Sequence, residues 1–89
     1  MELEYLEGVL AKHNVSRREV DDVLRHPLTI EVDVAPSNRN SPRIMYVGFT
    51  ANLRLLELGI EYFESGKEGV FHADDATPQF KKAFERAWS

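Results

Sequence analysis

Residues 70–80, Val-Phe-His-Ala-Asp-Asp-Ala-Thr-Pro-Gln-Phe, place a histidine and two carboxylates together directly after an apolar run. An imidazole exchanges protons near neutral pH, so beside carboxylates it is material for general acid–base chemistry or for a metal. On a strand, His72 and Asp74 would share one face at positions i and i+2. Two ligands are too few for a metal centre, and no H-E-x-x-H motif or repeated carboxylate loop supplies the rest. The structural alternative is simpler: Asp74 and Asp75 precede a helix N-terminus, where the helix dipole favours negative charge, and His72 is a surface histidine. A catalytic or phosphate-contacting His72 stays open beside it.

Other candidates carry bland readings of the same kind. His13 and His26 each fall at the end of an expected helix, where a cationic imidazole interacts favourably with the dipole. Arg54 follows a turn at Thr50-Ala51-Asn52 and reads as a solvated charge at a strand end. Lys81, Lys82 and Arg86 form a basic ridge on the last helix, which by default is a solvated face. No Ser-His-Asp order, G-x-S-x-G elbow or phosphate-cradling glycine loop accompanies them.

The elements that must position these residues are legible in part. Leu3, Leu6, Val9 and Leu10 recur at helical spacing, predicting a first helix over residues 2–12. Asn14 can stop it in the left-handed region. Ser16 and Glu19 have the S-x-x-E spacing of a capping box, with Val15 and Val20 as a hydrophobic staple, so a second helix spans Arg17–Arg25 and ends before Pro27. The pattern then turns to period two. Leu28, Ile30, Val32 and Val34 define one strand, residues 43–50 a second that is apolar on both faces, residues 54–64 a third, and residues 70–73 a short fourth. Thr77 is a suitable N-cap and Pro78 a favoured first residue for a last helix, whose apolar face is Phe80, Ala83, Phe84, Ala87 and Trp88. The expectation is an α+β fold: an antiparallel sheet of three to four strands, two N-terminal helices, and a C-terminal helix packed on the sheet.

The totals bound the function. A chain of 89 residues supports one domain over 1–89, and the absence of cysteine removes disulfides and thiolate zinc sites. No apolar run is long enough to span a bilayer, and the acidic opening MELEYLEGVL does not read as a signal peptide, which makes the cytoplasm the expected location and a membrane an unexpected partner. The formal net charge of −4 disfavours nucleic acid, because RNA and DNA affinity comes mainly from cations that displace counterions from phosphates.

Taken in order, KHNVSRREVDDVLRHP, PRIMYVGFTANLRLLEL and FHADDATPQFKKAFE resemble the BrnT family of type II toxin–antitoxin toxins, from about Lys12 to Glu85. The family pattern is K-H-G-V-S leading a helix, a strand, G-R-T-x-x-G-R-L-L, then I-S-A-R-x-A-T before a basic helix. Lys12, His13, Val15 and Ser16 match the first segment, with Asn14 for glycine. Gly48, Thr50, Arg54, Leu55 and Leu56 match the second, with Phe49 for arginine and Leu53 for the turn glycine. Ala73, Ala76 and Thr77 match the third, with His72 for serine and Asp74 for arginine. The family's opening strand is not evident in MELEYLEG.

The resemblance implies a RelE-like fold, a metal-independent ribonuclease needing no cofactor, and a cognate antitoxin protein as partner. Arg54 would then clamp phosphate and His72 transfer protons, with His13 and Lys81 as further candidates. Phe49 and Asp74 remove two cations from such a site, which implies weak RNA binding and weak or lost cleavage. The alternative is a non-catalytic binding or dimerising module of the same fold, and a homodimer stays open. Convergence of Arg54, His72, Lys81 and Arg43 on one electropositive cleft would favour the enzyme, and dispersal the module.

Overall fold

The computed structural model describes residues 3–32 and 41–89. A five-stranded sheet is built from β1 (Leu3–Tyr5), β2 (Ile30–Val32), β3 (Arg43–Phe49), β4 (Leu55–Tyr62) and β5 (Glu68–Asp75), in the order β1-β5-β4-β3-β2. Three helices, α1 (Val9–Lys12), α2 (Arg17–Arg25) and α3 (Pro78–Ala87), complete the fold. The class is α+β as expected, but the sheet is mixed and not antiparallel. Strands β2 to β5 pair antiparallel, whereas β1 runs parallel to β5, with Leu3 opposite Glu68 and Tyr5 opposite Val70.

The N-terminus corrects the expected helix over residues 2–12. Leu3 and Tyr5 fit a period of two as well as Leu3 and Leu6 fit a helix, and here the distant β5 supplies the backbone partners. Gly8 then takes φ 77°, a left-handed turn that lets the chain leave the sheet and begin α1. A helix through this glycine would have forfeited the β1–β5 ladder. Asn14 stops α1 at φ 54°. The capping box of α2 is complete: the Ser16 hydroxyl accepts from Glu19 N–H at 3.1 Å, and the Glu19 carboxylate accepts from Ser16 N–H at 3.0 Å.

Alternation along β4 divides the protein into two layers. Leu56, Leu58 and Ile60 are fully buried on one face, against Val9, Val15, Val20 and Val23 from the α1–α2 unit. On the other face Val47, Ala76 and Phe84 form a smaller cluster flanked by Ile30, Val32, Phe49, Leu55 and Phe80. Strand β2 begins at Ile30, two residues later than expected, and Val34 lies outside the described residues. Helix α3 docks through Phe80, Ala83 and Phe84 as its pattern predicts, but Ala87 and Trp88 turn outward. Trp88 keeps 51% of its surface exposed and holds on by donating its indole N–H to the Leu28 carbonyl at 2.8 Å.

A register shift at Gly59/Ile60 inserts Phe71 as an extra residue in β5. The ring of Phe71 lies over Gly59, where a Cβ would collide with it at 2.5 Å. Downstream of this bulge β5 extends to Asp75, past the end of β1, so residues 72–75 pair with β4 alone. The HADD segment therefore lies on a strand that borders the end of α1.

Candidate functional site

Beyond the bulge, His72 is opposite Gly59 and Asp74 opposite Glu57, so both side chains share the face of β4 that carries Glu57. Glu57 is 4% exposed. One of its carboxylate oxygens lies 2.8 Å from His72 Nε2, and the other accepts from the Thr77 backbone N–H at 2.6 Å. This anchors the carboxylate on both sides. A buried carboxylate beside Nε2 selects the tautomer protonated there, which leaves Nδ1 of a neutral His72 with its lone pair free. Nδ1 has no hydrogen-bond partner among the described residues.

His13 approaches the same place from the end of α1. Its Nδ1 lies 3.3 Å from Asp74, and its ring stands edge-on to that of His72 with centroids 6.4 Å apart. Two imidazoles, each held through one nitrogen by its own carboxylate, thus border one pocket of about 410 Å³, whose wall also includes Lys12, Phe71 and Gly8. Both histidines are about one-third exposed, open to a ligand and to water. The geometry provides two adjustable proton-transfer groups side by side. No three described His, Asp or Glu side chains are grouped as a metal ion requires.

Arg54 has a different place. Its Nε donates to Asp75 at 2.7 Å, one terminal nitrogen donates to the Asn14 carbonyl at 2.9 Å and to Glu19 at 3.2 Å, and the other donates to the His13 carbonyl at 3.0 Å and to Asp75 at 3.3 Å. The guanidinium is an internal clamp between the start of β4, the end of β5 and the turn from α1 to α2. The two carboxylates raise its pKa, and it holds Asp75 below the usual carboxylate range. The Glu19 carboxyl is also lowered, first by the Ser16 backbone N–H and then by Arg54. A guanidinium committed in this way has no fork left for phosphate.

Lys81, on the exposed first turn of α3, lies near enough to Asp75 to help lower its pKa, and has no ion pair among the described residues. Arg43 does not join the cluster. It bonds Glu61 at 3.1 Å and stacks over the Phe71 ring at 4.2 Å. His26 lies on the opposite flank, with its ring 6.3 Å from that of Phe49. Phe49, which stands at an arginine position of the resembled pattern, packs edge-on against Phe84 at 5.3 Å and serves the α3 interface.

Of the residues expected to do chemistry, His13 and His72 come together, Lys81 lies at the margin, and Arg54 is spent on structure. Asp74 and Asp75 belong to β5 and bind side chains, so they are not charges placed on a helix dipole. Thr77 holds the N-cap position of α3 but makes no side-chain cap; its own N–H goes to Glu57.

Sequence reasoning missed Glu57. One signal was present: a carboxylate in the middle of a strand with Leu56, Leu58 and Ile60 buried on its other face needs a partner if that strand is central. No protein-family model matches the chain, and no curated protein does either. The order of elements and the geometry of these side chains are therefore what bears on function.

Proposed function

We propose that this protein is a BrnT-like, RelE-like toxin-fold component of a toxin–antitoxin-type module, with a weak, metal-independent ribonuclease activity centred on His72 and His13. The observation that carries the reading is the pair of imidazoles 6.4 Å apart, each beside a separate carboxylate and both lining one pocket. The short β1 adds support, because the resembled family begins with a strand.

In this reading His72 Nδ1 takes the proton of a ribose 2′-hydroxyl. The 2′-oxygen attacks the adjacent phosphorus, and protonated His13 gives its Nε2 proton to the departing 5′-oxygen. The products are a 2′,3′-cyclic phosphate and a 5′-hydroxyl, with proton and leaving group both accounted for. Among the described residues near the pocket, charge building on the phosphoryl oxygens is countered by Lys12 and Lys81, since Arg54 is bound internally. Nearby Asp74, Asp75 and Glu57 work against RNA affinity.

The test is purified protein incubated with RNA in EDTA across pH and salt. The expected result is slow cleavage with a bell-shaped pH dependence, reduced roughly 10²–10⁴-fold by His72→Ala. Two phosphate contacts on a single strand give a log–log salt slope of about −1.4 for binding. Absence of cleavage in the native protein, or cleavage that survives both His72→Ala and His13→Ala, refutes the site. The saturation of Arg54 favours a second reading, a non-catalytic binding module, and an inactive but fully folded native protein is the result that selects it.

A further inference from the structure

We infer that the groove between β1 and the open part of the sheet is a docking site for a protein segment that combines apolar side chains with lysine or arginine. Among the described residues, helix α3 makes its main contacts with β2 and β3 and few with β4 and β5. There a groove of about 530 Å³ runs beside Leu6, Phe63 and Phe71. Leu6 is 63% exposed and Phe63 41%, so two large apolar side chains face water in one place. The floor is firm. Phe71 lies over Gly59 and Phe63 over Gly69, and each ring fills the space that a Cβ on the glycine would take.

The rim identifies the occupant. Glu4 and Glu7 line the groove and are exposed. The one cation among the described residues of the wall, Arg43, is matched by Glu61 at 3.1 Å and laid flat on Phe71, so it adds a planar surface and little net charge. Lys67 reaches Glu4 at 3.4 Å, but both groups are more than half exposed and an incoming cation can displace this pair. RNA and anionic lipid are repelled by such a rim. A second copy of this chain is disfavoured too, because an isologous contact would bring the acidic rim against itself. Charge and floor together fit a basic, apolar partner segment. This groove adjoins the pocket of the two imidazoles, with Leu6, Glu7 and Phe71 in both walls, but neither histidine lines it, so the inference does not rest on RNA cleavage.

The experiment is NMR titration of the ¹⁵N-labelled protein with a synthetic peptide of alternating leucine and lysine, beside a leucine–glutamate peptide of equal length. The leucine–lysine peptide should shift the amides of Leu6, Glu7, Gly69 and Phe71 in a saturable manner, and the leucine–glutamate peptide should not. Glu4→Gln combined with Glu7→Gln should weaken binding at least 5-fold, and Phe63→Ser about 10-fold. These positions are exposed, and an unchanged amide dispersion of the variants will show that they remain folded. Equal binding of the two peptides, shifts confined to other surfaces, or indifference to both variants would overturn the inference. Shifts of the same amides on raising protein concentration alone would overturn it in favour of self-association.

Discussion

Replacing Arg54 by alanine separates a structural clamp from a phosphate clamp. In the structure the side chain holds two main-chain carbonyls and two carboxylates. Each carbonyl that loses a donor costs about 1 kcal/mol. The pair with Glu19 is mostly shielded from water and is worth about another 1 kcal/mol. Asp75 is 65% exposed, so water replaces most of what it loses. Arg54→Ala should therefore lower stability by about 3 kcal/mol, a large share of the 5–15 kcal/mol typical of a domain. For a chain of this size that is a fall in midpoint of roughly 10–20 °C, readable by circular dichroism. Arg54→Lys, which keeps the charge but not the fork, should recover less than half of it.

The same variant carries a pH signature. Asp75 and Glu19 have folded pKa values below their unfolded ones, so their contribution is complete above the ordinary carboxylate range of about 4 and is lost as pH falls through the lowered folded values. The native protein should lose stability along this acid limb, and Arg54→Ala should lose much less, because Arg54 is a cause of both shifts. Glu19 keeps the part due to Ser16. If Arg54→Ala unfolds within about 0.5 kcal/mol of the native protein and follows the same acid limb, the clamp assignment is wrong and the phosphate role returns.

Three further outcomes are expected. Glu57→Ala leaves the Thr77 N–H and His72 Nε2 without their partner in a partly buried place and should cost about 1–2 kcal/mol in thermal or urea denaturation, whereas Glu57→Gln keeps an oxygen for Thr77 and should retain most stability while lowering the proposed RNA cleavage. Phe84→Ala should cost about 3–5 kcal/mol by urea unfolding, and Trp88→Ala no more than about 2 kcal/mol, since its ring is half exposed and one hydrogen bond holds it. Leu53 occupies the left-handed region at φ 64° with its side chain in water, so Leu53→Gly should raise stability by about 1 kcal/mol, checked by the thermal midpoint.

What could be foreseen from the residues depended on how local the cause was. Helix α2 is specified by Ser16, Glu19 and Pro27, all within a dozen residues, and it spans Arg17–Arg25 as its pattern requires. β3, read as a run apolar on both faces, and β4, read from its alternation, fall within two residues of the expected bounds at each end. The opening segment does not, because Leu3–Tyr5 becomes a strand only through β5, more than sixty positions away. The bulge at Phe71 is likewise set by pairing across strands, and it decides which face His72 takes. The site was legible as a set of types and not as a set of partners. His13 and His72 could be named, but the distances that make them a pair belong to tertiary structure, as do the bonds that retire Arg54 from phosphate binding.

The resemblance and the geometry divide along the same line. Two positions that match the family pattern, His13 and Arg54, build one internal hub together with Asn14, in which Arg54 ties the carbonyls of His13 and Asn14 to Glu19 and Asp75. Three positions that depart from the pattern face elsewhere. Phe49 packs under α3, His72 takes the buried carboxylate of Glu57, and Asp74 takes His13. Among the described residues the hub shares no hydrogen bond with the His72–Glu57 pair. Substitution at His72 should thus leave the α1–α2 turn and the β1 groove intact. Loss of Arg54 should loosen the turn that carries His13, and activity would fall with it even though Arg54 touches no substrate. Activity loss alone is consequently a poor guide to contact here, and stability measured beside it is what tells the clamp from the catalyst.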